Sequence, residues 1–223
     1  MKIIKYIIFV MLILASTTSL AKNLQVWQQE NIQYRLSDQM TAAFQYETRV
    51  GVLEDYGVLE NHFTPSFTWR PLSWFSIGPN YRYVVLRKNH KYLNDNRPGL
   101  DLTVYYTLDG FVFSNRSRFM IRQLEDYNPY FRYRNLSKVQ YNGFGKYKPF
   151  ISYEIFFDDG TKNLIYKKND KISSYWTTIG MTYDVNSWLK IDLSYLLIMN
   201  RNVGNGGFKK PRNVISVAFN MLF

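Results

Sequence analysis

The sequence predicts an all-β chain: an antiparallel up-and-down transmembrane β-barrel of 10–12 strands behind a cleaved signal peptide. Three observations predict it. Apolar residues recur with period two in segment after segment. The connections between those segments alternate short and long. An export signal precedes the first of them. The composition is compatible. Of 223 residues, 46% are apolar and 20% charged, and 19 Tyr, 16 Phe and 5 Trp make the chain 18% aromatic. That is too apolar and aromatic for disorder. Cysteine is absent, which excludes a disulfide framework, a Cys-based zinc site and a thiol nucleophile.

Residues 1–21 read as the signal peptide. Lys2 and Lys5 form a basic start, residues 6–15 run apolar, and Ser19 and Ala21 supply small side chains at −3 and −1. The apolar run is half of the ~20 residues a spanning helix needs, so a membrane anchor is the weaker reading. No cysteine follows the cleavage point, so the chain is not a lipoprotein. Residues 22–223 then form one barrel domain. Removing Lys2 and Lys5 from the 28 basic residues leaves 26 against 17 acidic ones, a formal +9. Export removes nucleic acid as a partner despite this basic balance.

The alternation is clear over residues 40–52. Met40, Ala42, Phe44, Tyr46, Thr48, Val50 and Val52 share one face, and Thr41, Ala43, Gln45, Glu47, Arg49 and Gly51 share the other. Side chains of a strand point to opposite sides in turn, so one face is oily and one wet. The pattern recurs over residues 63–70, 75–85, 100–108, 111–122, 131–141, 175–183, 189–199 and 215–223. Residues 150–157 are apolar on both faces. Short connections fall at residues 37–39, 71–73, 109–110 and 185–187, and Asp109-Gly110 is a two-residue hairpin signal. Long charged connections are expected at residues 53–61, 87–97, 158–172 and 201–211.

A soluble secreted sheet would alternate too, with its oily face inward. Two features oppose it. Trp69, Trp74, Trp188, Tyr81, Tyr83, Tyr183 and Phe219 lie near strand ends, where interfacial girdles belong. The wet face carries many arginines and cannot be a dry core. A bilayer also leaves no water for strand edges, so only a closed sheet pairs every backbone group. The chain ends on Ile215, Val217, Phe219, Met221 and Phe223 alternating with Ser216, Ala218, Asn220 and Leu222. Phe219, Met221 and the terminal Phe223 are the candidate signal for outer-membrane assembly machinery, and the address is the bacterial outer membrane.

The strand count raises a parity problem. About eleven candidates exist, whereas bacterial single-chain barrels have an even number. The first candidate is also the poorest, since Gln28 and Glu30 interrupt its oily face of Val26, Ile32, Tyr34 and Leu36. Three explanations are open. Residues 22–30 lie in the lumen and only 32–36 join the sheet. Or the first strand pairs in parallel with the last, as in the mitochondrial porin. Or strands are miscounted at residues 142–149.

The wet phase assigns Arg49, Arg70, Arg82, Arg116, Arg118, Arg122, Arg132 and Arg134, with Lys138 and Lys190, to the lumen. Inward acids are fewer: Glu47, Asp101, Asp192 and Glu154. One reading is a plug cross-linked by guanidinium–carboxylate pairs. The other is an anion-favouring channel or an acidic-ligand site. Catalysis finds little support. His62 lies in lumen phase at a strand mouth, His90 sits in the basic run Arg87-Lys88-Asn89-His90-Lys91, and no G-x-S-x-G occurs. The reading is therefore non-enzymatic, without cofactor or metal; the alternative is an outer-membrane hydrolase of lipid or peptide at the lumen mouth. The loop cations Arg87, Lys88, Lys91, Lys162, Lys167, Lys168, Lys171, Lys209, Lys210 and Arg212 read either as solvated loop charges or as partners for outer-membrane lipid and the phosphates of lipopolysaccharide.

Ser114-Asn115-Arg116-Ser117-Arg118-Phe119, Phe131-Arg132-Tyr133-Arg134-Asn135 and Lys148-Pro149-Phe150-Ile151-Ser152-Tyr153-Glu154-Ile155-Phe156 resemble an uncharacterised family of bacterial outer-membrane barrels, a domain of unknown function. Its pattern runs N-R-x-R, Y-R-x-R and P-Y-x-x-x-E-x-F. Trp27 and the Pro98 before Leu100-Asp101-Leu102 are similar as well. The chain departs at Leu136 and Ser137, where another Arg is expected, and at Phe150 for Tyr. The resemblance implies a barrel and an outer-membrane address. It implies no substrate.

Overall fold

The computed structural model describes residues 24–52, 57–88, 91–159, 172–201 and 207–223. The signal segment and the cations Lys162, Lys167, Lys168 and Lys171 lie outside these residues, as does His90. Eleven strands follow one another: β1 (Leu24–Arg35), β2 (Met40–Gly51), β3 (Gly57–Leu72), β4 (Phe75–Lys88), β5 (Lys91–Leu108), β6 (Phe111–Leu124), β7 (Tyr130–Tyr141), β8 (Tyr147–Asp158), β9 (Ile172–Asp184), β10 (Leu189–Asn200) and β11 (Arg212–Leu222). Each pairs antiparallel with its neighbour in sequence, and the sheet closes into a barrel through β1 and β11.

That closure answers the parity problem in favour of parallel pairing of the first strand with the last. β1 and β11 pair in parallel, from Leu24 opposite Asn213 to Gln33 opposite Leu222. The reason is parity. Hairpins reverse the chain at every turn, so the first and last of an odd number of strands run the same way. At the end of the seam Arg35 N–H donates to the Phe223 carbonyl at 2.8 Å, and Phe223 N–H donates to the Gln33 carbonyl at 2.9 Å. β1 is therefore a full wall strand, which overturns the alternative that residues 22–30 lie free in the lumen.

Turn chemistry sets one end of the barrel. Asp109 and Gly110 both adopt positive φ, 48° and 82°, as a two-residue hairpin of the twisted kind requires. The other short turns share this end, with the C-terminus. A Cβ at Gly78 would sit 2.1 Å from the Phe67 carbonyl oxygen, so β3 and β4 approach this closely only because position 78 is glycine.

The oily faces point outward. Phe44, Val104, Phe113, Phe119, Ile121, Phe131, Ile151 and Ile179 are among the exposed large apolar side chains. Aromatic pairs cluster toward both ends of the outer surface, such as Trp188 on Phe223 and Phe111 on Tyr141 near the short turns, and Phe63 on Tyr83 toward the other end. Two polar islands interrupt this band. Gln28 donates to Glu30 at 2.6 Å beside the parallel seam. On the opposite wall Asn115 donates to Asn135 at 3.0 Å and to Ser137 at 2.9 Å, and Asn135 donates back to Asn115 at 2.9 Å. Each amide there has a partner, which limits the several kcal/mol that an unpaired polar group facing hydrocarbon costs.

Two expected long connections are shorter than the charge pattern indicates, and β3 already starts at Gly57 within the expected 53–61. β4 runs on to Lys88 and β5 starts at Lys91. Here Tyr83 and Tyr81 donate to Asn94 and Asn96 across the outer face, while Asp95 and Arg97 are buried. Both faces are polar, so the oily alternation that marks a strand is missing although the pairing continues.

The parallel seam is open to a direct test, because the chain has no native cysteine. Gln28→Cys with Val217→Cys, which are register partners, should cross-link on mild oxidation of the refolded barrel, whereas Gln28→Cys with Met221→Cys should stay reduced. Loss of free thiol in the second pair and not the first would mean a different closure.

An arginine-lined lumen as the candidate functional site

The same alternation that turns oily residues outward turns charged ones inward, and charges two residues apart on one strand share a face. Glu47 and Arg49 on β2 bond at 2.6 Å. Asp95 accepts from Arg97 at 2.9 and 2.8 Å on β5. Other pairs are made between strands. Arg118 on β6 stands opposite Asp101 on β5 and holds it with two bonds of 2.5 Å. Arg132 on β7 stands opposite Asp158 on β8, with bonds of 2.5 and 2.6 Å. Arg134 grips Glu154 at 3.0 and 2.8 Å, and Arg116 reaches the same carboxylate at 3.4 Å. Arg122 shares Asp95 with Arg97 and also donates to the Tyr130 hydroxyl at 2.7 Å. The contacts of Arg118 with Asp101, Arg132 with Asp158 and Arg134 with Glu154 are two-bond forks, the geometry that Arg provides and Lys does not.

Aromatic rings occupy the lumen as well. Trp27 of β1 and Trp176 of β9 meet edge to face, 5.4 Å between centroids. The Arg49 guanidinium lies 3.7 Å above the Trp27 ring and that of Arg134 lies 4.5 Å from Phe156. Trp27, Leu196, Ile198 and Val214 form a small dry cluster against one wall, with Trp176 packed on it. At the other end Arg70 lies 4.4 Å over Tyr105.

Among the described residues, three adjoining chambers lie along the lumen. The first, of about 310 Å³, opens toward the long connections. Arg49, Arg82, Arg97, Arg122, Arg132 and Arg134 line it, joined by Arg201, Lys209 and Arg212, against the acids Glu60 and Asp158. The second, of about 250 Å³, has Arg49, Arg82, Arg116, Arg118 and Arg134 against Glu47, Glu154 and Asp192. The third, of about 540 Å³, opens toward the short turns and carries Arg35, Arg70, Arg116 and Arg118 against Asp38 and Asp101. Arg49, Arg82 and Arg134 belong to the first two chambers, and Arg116 and Arg118 to the last two. Two belts of guanidinium therefore separate the three spaces, and cations outnumber acids in each.

All the arginines assigned inward by phase line this lumen, together with Asp101 and Glu154. Asp95, Arg97, Glu60 and Asp158 were missed, because they lie in stretches that carry the charge of loops. Trp27 and Trp176 also line the lumen; they lie in the wet phase of their strands but were missed, because the inward set was sought among charged residues. Lys209 and Arg212, expected on the loop surface, line the first chamber. Phe219 and Met221 alternate on the outward phase of β11, and Phe223, one residue past its end, is exposed.

His62 does not assemble a catalytic group. It is 1% exposed, with Nε2 2.7 Å from Glu60 and Nδ1 3.6 Å from Glu47. Neither a serine nor an aspartate hydrogen-bonds it among the described residues. No group of three or more His, Cys, Asp or Glu among those residues is arranged to hold a metal.

Residues 24–209 match the family described as Protein of unknown function (DUF2490). No curated protein matches the chain. Among solved structures it is similar to the NanC porin in a rhombohedral crystal form, with TM-score 0.57 and 9% identity, covering 88% of this chain and 97% of that one. It is also similar to the KdgM porin, with TM-score 0.45, 13% identity and coverage of 78% and 91%. An anion-selective porin from Comamonas acidovorans gives TM-score 0.42, 9% identity and coverage of 85% and 54%. At such identities the first of these relates the folds alone: a closed β-barrel like that of a porin.

Asp95 is fully buried and holds two guanidiniums. Asp95→Asn leaves both cations buried without their carboxylate, so the refolded barrel should lose about 3–5 kcal/mol in urea unfolding. Asp101, with a fifth of its side chain exposed and one guanidinium partner, should cost less as Asn. Equal losses would show that water in the lumen screens both sites alike.

Proposed function

The chain belongs to the DUF2490 family, and from that premise we propose that it is a non-enzymatic outer-membrane barrel that passes small anions through a narrow, arginine-belted lumen. The observation that carries the reading is the series of three chambers, each with more cations than acids. A solute crossing them meets a positive potential throughout, and low-dielectric walls strengthen that field. The internal ion pairs hold the guanidiniums in place, so they shape the passage as well as filling it. Coulomb energy at close range is large where water is thin, so a cation entering the belts is repelled by several fixed charges.

In this reading the outward oily band lies in the outer membrane, the short turns and Phe223 face the periplasm, and the long connections face outside. Residues 1–21 direct export and are removed. Phe219, Met221 and Phe223 present the terminal strand to the assembly machinery. The second reading, a hydrolase at the lumen mouth, loses its candidate base, since His62 is enclosed between two glutamates without a nucleophile beside it.

Two experiments bear on this. Refolded protein in a planar bilayer under a salt gradient should give steady conductance with a reversal potential displaced toward the anion, and Arg116→Gln with Arg118→Gln should reduce that displacement. A silent bilayer or a cation preference would overturn the proposal. Lys91→Gln, Lys209→Gln and Lys210→Gln together should weaken co-purification of lipopolysaccharide, and unchanged association would remove that partner.

A further inference from the structure

Arg82 differs from its neighbours. It lies on β4, 7% exposed, and donates from Nε to the Thr64 hydroxyl at 3.1 Å. Its two terminal nitrogens make no hydrogen bond among the described residues, and no carboxylate of those residues lies within 4 Å of it. Every other buried strand arginine here has one: Arg97 has Asp95, Arg118 has Asp101, and Arg134 has Glu154. Its register partner on β5 is Arg97, another cation. Like charges directly opposite on a sheet repel, and a buried charge without a partner is costly.

This cation lines both the first and the second chamber, beside Arg49 and Arg134. Those two are held over aromatic rings and by Glu47 and Glu154. The chain thus supplies a carboxylate for each flanking guanidinium and withholds one from the central guanidinium. The free edge of Arg82 carries two N–H groups side by side, which matches a planar carboxylate in a two-bond fork. The adjoining spaces, about 310 and 250 Å³, are at the small end for organic ligands.

We propose that Arg82 is the binding point for the carboxylate group of a small organic acid, held between the first two chambers. The site rests on the anion preference proposed above and names the class of anion, but it does not require conduction. The bound carboxylate takes the place of the missing acidic side chain, and Arg49 and Arg134 close around it from the two flanks.

The test measures binding apart from transport. Trp27 and Trp176 line the second chamber, so tryptophan fluorescence of the refolded full-length mature protein reports its occupancy. Acetate replacing chloride at constant ionic strength should give a saturable change, with inorganic phosphate as the competing oxyanion. Arg82→Gln should raise the half-saturating acetate concentration about tenfold or more, and Arg82→Lys should recover part of it, since it keeps the charge and loses the fork. In chloride alone Arg82→Gln should unfold at the same or a higher temperature than the parent, because it removes an unpaired buried charge, whereas Arg118→Gln should unfold earlier. Acetate binding unchanged in Arg82→Gln overturns the site. Saturation by phosphate without saturation by acetate overturns the carboxylate assignment. Acetate binding lost in Arg82→Gln supports the site even if the bilayer is silent, so the fates of the two proposals are separable. A clear loss of stability in Arg82→Gln, equal to that in Arg118→Gln, would show that Arg82 has an internal partner and would also overturn it.

Discussion

Closing the sheet is the constraint on which the rest of this molecule depends. A strand edge exposes a row of N–H and C=O groups, and a hydrocarbon environment offers them nothing. Ten hairpin reversals leave the first and last strands parallel, so β1 and β11 close the wall with slanted bonds. The closure reaches the last residue, where Phe223 exchanges hydrogen bonds with Gln33 and Arg35. It also makes a full wall strand of the least oily segment in the chain, with Gln28 and Glu30 bonded to each other on its outer face. Pairing of the backbone outweighs the poor fit of two side chains.

Closure creates an interior that must hold the inward half of every strand. Eleven strands enclose a space that side chains nearly fill. Cations dominate the inward set, and their burial is tolerable because acids are placed within forked reach of them. A ladder of pairs runs around the wall from Glu47 and Arg49 through Asp95 and Asp101 to Glu154 and Asp158. Such pairs add little net stability when compared with apolar packing, but breaking one is expensive. They therefore keep the guanidiniums at fixed heights, which produces the two belts along the lumen.

Much of this is legible in the residues, and the exceptions have physical causes. The facing of Arg116 against Phe113 or Arg132 against Phe131 follows from period two alone. The upper part of β4 and β5 does not, since Asn94 and Asn96 outside and Asp95 and Arg97 inside give no contrast of polarity. Trp27 and Trp176 lie in the wet phase of their strands, and only their apolar rings disguise them as lipid-facing residues. The Asn115–Asn135 island shows the converse: polar groups that the strand phase places on the oily face, satisfied by partners on the adjacent strand.

The sequence by itself determined the class of the fold, the phase of its strands, the hairpin at Asp109-Gly110 and the inward set of arginines. These depend on spacing of two residues or on a single turn, and such distances are written along the chain. Only the tertiary structure decided how the ends meet, which carboxylate each guanidinium holds, and that Arg82 faces Arg97 with none of its own. Those depend on register between strands, and register is set by the closure of the whole sheet. A carboxylate within 4 Å of one arginine and out of reach of another differs by a step of stagger that no local pattern encodes.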